Sequence, residues 1–317
     1  MIRATLASLL LCLPASAGWA QTPTEIAAKA PAADWAEFPA ENLLVMDLVP
    51  DQHGKPRRIV IALMPPPFAV GHVANIRLLA HEHWWDGTSI NRVQDNYVVQ
   101  WGDATEKKPL PAGLIKVPES DYVTPASAIG KAGDAGDKVA IARTVRPKAP
   151  QGWHQRDSYA DRVDFYRGWP MAGGGGAVWP VHCYGMVGVG RDVSPDTGTG
   201  AELYVVIGQA PRQLDRNIAL VGRVVEGIEH LSSLPRGTGA LGFYETAGER
   251  TPIASVRLAA DLPEMARPRF EYLSTESMSF ARYVAARASR KDSFYFRPAG
   301  AIDVCNSMPP VRPVKPI

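Results

Sequence analysis

Residues 91–103 read Asn91-Arg92-Val93-Gln94-Asp95-Asn96-Tyr97-Val98-Val99-Gln100-Trp101-Gly102-Asp103. Two runs with β character, 88–93 and 97–101, flank the turn formers Asp95 and Asn96, so the stretch reads as a hairpin. An Arg on one strand and a Gln on the next, with a Tyr between, is in isolation the polar face of a surface hairpin. Its meaning depends on what stands to either side.

Upstream, 42–49 and 58–64 are apolar, β-branched runs joined by Asp51-Gln52-His53-Gly54, the composition of another hairpin. After Pro65-Pro66-Pro67 the spacing of Val70, Val73, Ile76, Leu79 and Ala80 becomes helical, ending at Trp84 to Gly87. Downstream, 186–190, 203–207 and 218–221 read as strands, 226–234 as a second helix, and 253–259 as a closing strand. Strands around only two short helices, in a chain with 28 Gly and 28 Pro among 317 residues, predict a mainly β fold, a closed barrel with helix-covered ends. Residues 104–180, rich in Lys, Pro, Gly and Ala and carrying the run Gly173 to Gly176, read as a long irregular insertion, and that run as a flexible link. The domain then spans 41–262. Residues 21–40 read as a loosely held arm, and 263–317 as a C-terminal extension with one helix near 275–290.

Lys plus Arg number 34 and Asp plus Glu 32, a net charge of +2, so the strongly basic field that nucleic acid requires is missing. Residues 1–20 combine Arg3, the apolar stretch Ala4 to Leu13, Pro14 and two small-residue patterns, Ala15-Ser16-Ala17 and Gly18-Trp19-Ala20. That is the layout of a secretory signal peptide, too short for a membrane span, so export and no membrane anchor after cleavage are expected. Cleavage leaves Cys183 and Cys305, and two cysteines in an exported chain most simply pair with each other. Two unrelated buried thiols are the second reading, and a zinc site is not expected with no other Cys nearby.

Three motifs fail on context. Gly237-Thr238-Gly239-Ala240-Leu241-Gly242 matches G-x-G-x-x-G but follows a helix and Pro235 rather than a strand, so no dinucleotide is expected. Asp196-Thr197-Gly198-Thr199 looks like an aspartic-protease tripeptide, but the chain carries no second copy to supply the partner carboxylate. His81-Glu82-His83 places two imidazoles two residues apart, facing different ways on a helix, and is not H-E-x-x-H. Neither cofactor nor metal is expected.

Taken in order, six blocks resemble the cyclophilins, the cyclosporin-binding class of peptidyl-prolyl cis-trans isomerases. His72 to Leu79 is similar to the family's first helix, and Gly87 to Arg92 to the strand bearing its catalytic Arg. Gln100-Trp101-Gly102-Asp103 stands where the family has Gln-Gly-Gly-Asp. Met186 to Gly190 and Gly200 to Val205 resemble Met-Ala-Asn-Ala-Gly and Gly-Ser-Gln-Phe-Phe-Ile, and Leu214 to Val224 the segment ending in Phe-Gly-Lys-Val. The likeness runs from about Leu43 to Leu262, interrupted by the insertion, and is close over about half the chain.

The resemblance implies an eight-stranded antiparallel barrel capped by two helices, with a proline-binding cleft on its outer face. It implies that Arg92 is catalytic and that Gln100 contacts substrate backbone. Tyr97, Val98, Tyr204, Leu214 and Ile218 would wall the proline pocket, Gly188 would offer backbone groups, and Glu202 stands where a substrate-contacting Gln is usual. Strict alternation puts Tyr97 and Val98 on opposite faces, so a bulge or strong twist within 97–101 is expected if both reach the cleft. Tyr at 97 and 204 for Phe, Ile218 for His or Tyr, and Gln213 for a Trp imply a more polar rim and weak cyclosporin binding. The implied activity is prolyl isomerisation in exported proteins of a bacterial periplasm, with proline-containing segments of folding chains as partners. A catalytically weak binding or chaperone module is the alternative.

Overall fold

The computed structural model describes residues 21–129 and 157–314. The expected signal peptide and 130–156 of the expected insertion lie outside the described residues. Eight strands form a closed antiparallel barrel: β1 Leu43–Leu48, β2 Arg57–Leu63, β3 Ser89–Val93, β4 Val98–Gly102, β5 Met186–Val189, β6 Leu203–Val206, β7 Leu220–Glu226 and β8 Thr251–Leu258. Around the barrel they run β5-β6-β4-β3-β8-β1-β2-β7 and return to β5. Closure leaves no free sheet edge.

The interior is filled by the apolar members of each alternation, including Leu43, Ile59, Ile61, Ile90, Val99, Trp101, Val187 and Val205, all essentially inaccessible. Helix α1, Val70–His81, buries Val73, Ile76, Leu79 and Ala80, the face that its apolar spacing sets. The second helix is shorter than its sequence suggests: α2 spans only Glu229–Ser232. Gly227 ahead of it has φ +81°, and a Cβ there would lie 2.0 Å from the Arg58 carbonyl oxygen. The chain must turn sharply where a longer helix would begin.

The accessory segments are more ordered than their composition suggests. Within the insertion, Arg162–Tyr166, Trp169–Gly174, Ala177–Pro180 and Thr124–Pro125 form a four-stranded sheet. The glycine run is a hairpin turn rather than a link, with Gly175 and Gly176 at φ +57° and +80°. The arm is tied down as well. Thr22 and Glu25 form a capping box for the helix Pro23–Ala28, which packs against the C-terminal helix Met278–Ala288. Trp35–Glu37 pairs with Phe270–Leu273, which pairs in turn with Val311–Pro313.

Arg223 of β7 explains how these additions dock. Its guanidinium is buried against three rings, Trp169 of the insertion at 5.3 Å, Phe38 of the arm at 5.4 Å and Tyr272 of the extension at 6.0 Å. Its Nε and Nη2 have no hydrogen-bond partner, and burial lowers its pKa to about 10. Ring faces stand in for a carboxylate there. A disulfide joins Cys183, just ahead of β5, to Cys305 in the extension, 122 residues apart in sequence.

Candidate active site on the outer face of the barrel

Between β3 and β4 the register shifts: Ile90 faces Trp101 and Arg92 faces Gln100, so β3 holds one extra residue, Asn91. Simple alternation would put Ile90 and Arg92 on one face. The bulge reverses this, leaving Ile90 in the core and turning Arg92 outward. The expected bulge in 97–101 is therefore not where the irregularity lies. Tyr97 precedes β4, in a turn where its amide donates to the Gln94 carbonyl at 3.2 Å and Asn96 has φ +51°. Freed from strand alternation, Tyr97 packs beside Val98.

Cross-strand registers then align a row over the outer face. Arg92 is opposite Gln100, Gln100 opposite Tyr204, and Tyr204 opposite Gly188. Two residue pairs along, on the same face, Val98 faces Val206. Val98, Tyr204 and Val206, with Tyr97 and Ile218 against them, make an apolar cluster separate from the barrel core. A hollow of about 180 Å³ opens on it, lined by Arg92, Tyr97, Val98, Gln100, Val189, Gly190, Arg191, Tyr204, Leu214, Ile218 and Phe243.

The Arg92 guanidinium is fixed from several sides. Nε donates to the Leu241 carbonyl at 2.8 Å, Nη1 donates to Gln100 Oε1 at 3.2 Å, and Nη2 donates to Gln94 Oε1. Its Cζ lies 5.2 Å from the Phe243 ring centre and 5.7 Å from that of Tyr97. Burial lowers its pKa, opposed by Tyr97, and an arginine so modified stays charged at neutral pH.

Two of the expected contact residues do not line the hollow. Gly188 is buried beneath the Tyr204 ring, and a Cβ there would lie 2.3 Å from Tyr204 Cζ and its hydroxyl oxygen. The absence of a side chain at 188 is what lets the larger Tyr lie down. Backbone on that edge comes instead from Val189 to Arg191. Glu202 stands behind Gln100, accepting from Asn91 Nδ2 at 3.2 Å and from Gln100 Nε2 at 3.5 Å, so it orients the amide. Burial raises the Glu202 pKa against these two donors.

Tyr204 also departs from the expected polar rim. Its hydroxyl lies 2.9 Å from His182 Nε2, so the ring's apolar part faces the hollow. Burial raises the Tyr204 pKa well above the ordinary phenol value. Sequence reasoning missed His182, Arg191, Gln94, Leu241 and Phe243. The glycine-rich motif was visible but its role was not: Gly237 donates to the Val93 carbonyl at 2.9 Å and Tyr244 to that of Asn91 at 2.9 Å, laying 237–244 along β3.

The description "cyclophilin type peptidyl-prolyl cis-trans isomerase/CLD" is that of the family model matching residues 52–258. No curated protein matches the chain. Among solved structures, cyclophilin AquaCyp293 from Hirschia baltica is similar with a TM-score of 0.62 at 21% identity, covering 88% of this chain and 93% of that one. A cyclophilin type peptidyl-prolyl cis-trans isomerase from Cryptosporidium parvum, crystallised in the presence of the dipeptide Ala-Pro, gives a TM-score of 0.36 at 10% identity, covering 68% of this chain and 98% of that one. The likeness to AquaCyp293 is one of fold. A closed eight-stranded barrel together with a family match from residue 52 to 258 settles membership: this chain belongs to the cyclophilin-type peptidyl-prolyl cis-trans isomerases.

Proposed function

We propose that the chain accelerates rotation about X-Pro bonds in exported proteins, with Arg92 as the catalytic group. Amide resonance sets a barrier of about 18–20 kcal/mol to that rotation. In the twisted state the prolyl nitrogen pyramidalises and regains its lone pair, and a fixed guanidinium donates a hydrogen bond to it more strongly than to the planar amide. The apolar walls Val98, Tyr204, Leu214 and Ile218 hold the ring and disfavour the charge-separated resonance form. Gln100, held by Glu202, meets the substrate backbone. No nucleophile, proton transfer or metal enters this chemistry.

The observation that carries the proposal is the placement of Arg92 at a hollow of about 180 Å³ with apolar walls, its fork held by Gln94, Gln100 and Leu241. Export is supported by the leader-like sequence of residues 1–20 and by the Cys183–Cys305 bond, since disulfides persist outside the reducing cytosol. In a coupled assay with a proline-containing peptide, isomerisation is expected to rise in proportion to added protein. A rate equal to the uncatalysed one, with binding retained, would favour the chaperone module, and cleavage of the peptide would favour the protease.

Support of Arg92 by the 237–244 loop has its own test. A Cβ at Gly237 would lie 2.0 Å from the Gly242 carbonyl oxygen, so Gly237→Ala must displace the turn that carries Leu241 and Phe243. A shift of about 1 Å at a positioned group costs about 10²-fold, and kcat/KM is expected to fall by that order. An unchanged kcat/KM would show that this loop does not hold the guanidinium.

A further inference from the structure

Behind the cleft runs a chain of buried polar side chains that the isomerisation chemistry does not use. The Tyr204 hydroxyl is 2.9 Å from His182 Nε2, and His182 Nδ1 is 2.8 Å from Asp215 Oδ1, which also accepts from the His182 amide at 3.0 Å. Asp215 Oδ2 accepts from Arg212 Nε at 2.6 Å. Arg212 Nη1 and Nη2 donate to the two oxygens of Asp157 at 2.7 and 2.8 Å. Side-chain exposure along the chain is 0% at His182, 3% at Asp215, 5% at Arg212 and 6% at Asp157.

Each side-chain nitrogen and oxygen named along this path has a hydrogen-bond partner. A carboxylate only accepts, so Nδ1–H donates to Asp215, and Nε2 of a neutral ring accepts from the Tyr204 hydroxyl. Two carboxylates share one guanidinium, which also lies 5.1 Å from the Tyr159 ring. Buried ions are costly and are poor sources of stability, whereas a fully satisfied network fixes one geometry. One end of this network is Asp157, in the segment inserted between β4 and β5. The other is the Tyr204 ring in the wall of the cleft. Midway, Arg212 begins the short 3-10 turn Arg212–Leu214, which brings Leu214 to the same cleft.

We propose that His182 and Asp157 are positioning residues for substrate binding: the inserted segment sets the place of the Tyr204 ring through the chain Asp157–Arg212–Asp215–His182–Tyr204. This rests on the reading of the cleft given above. It also gives the replacement of Phe by Tyr a purpose, since only a hydroxyl can be held from behind.

The test is a double-mutant cycle on the full chain, His182→Leu, Tyr204→Phe and both together. Affinity for a proline-containing peptide is read by NMR titration and turnover by the coupled assay. His182→Leu is expected to weaken peptide binding about tenfold, as loss of one buried hydrogen bond does, and to change it less than about twofold in the Tyr204→Phe background. His182→Gln, which keeps one donor and one acceptor, should restore most of the loss. Equal losses in both backgrounds would overturn the proposal, because His182 would then act on the fold at large. Should His182→Leu fail to fold, Asp157→Ala carries the test: the Tyr204 hydroxyl proton, slowly exchanging in the wild type, should exchange fast in the variant, and unaltered exchange with unaltered affinity would overturn the proposal. A wild type that binds peptide, shows the coupling and yet does not isomerise it would sink the function proposed above and leave this inference standing.

Discussion

Arg92→Ala is expected to lower kcat/KM for a proline-containing peptide by about 10²–10³-fold, the cost of removing one preorganised donor from a transition state, about 2.7–4 kcal/mol. The loss should fall on kcat, because the apolar walls that hold the ring are untouched and the guanidinium acts on the twisted amide. Arg92→Lys separates charge from geometry. The present side chain is held by the Leu241 carbonyl, Gln100 and Gln94 at three different nitrogens, and an ammonium cannot reproduce that planar fork. Lysine is therefore expected to recover little of the lost activity. Stability should change little in either variant, since the group lies at the surface of the hollow rather than in the barrel core. Wild-type turnover by Arg92→Ala would remove the mechanism and leave the family assignment intact.

The second large effect concerns the Cys183–Cys305 bond. Closing a loop of 122 residues is worth up to about 5 kcal/mol in the chain-entropy account, less where the reduced chain keeps residual structure. Cys305→Ser, or reduction, is expected to lower the unfolding midpoint by up to about 10 °C for a protein of this size. Non-reducing mass spectrometry should find one peptide linking the two positions. Cys183 adjoins His182, which supports Tyr204, so the bond anchors the extension beside the back of the cleft. Two free thiols in the folded protein, with an unchanged midpoint on reduction, would end this account.

Much of the barrel was legible in the chain. The runs at 42–49, 58–64, 186–190 and 203–207, and the helical spacing from Val70 to Ala80, fall on elements within one or two residues at each end. Such segments bury one face by local periodicity, and local periodicity is what a sequence displays. The accessory segments were less legible. Gly175 and Gly176 look like a linker because the same residue serves flexible chain and positive-φ turn alike, and only the pairing of Trp169–Gly174 with Ala177–Pro180 distinguishes the two.

The order of strands and helices, the apolar character of the barrel, the family and the identity of Arg92 as the residue to watch were set by the sequence. Tertiary structure alone decided which way Arg92 points, because an extra residue in β3 reverses the alternation that spacing implies. It also decided what holds Arg92, since the Leu241 carbonyl lies 149 residues away along the chain, and what lies behind Tyr204. Periodicity states which side chains share a face of one element. Register between strands and contacts between distant segments are fixed only when the whole chain closes on itself.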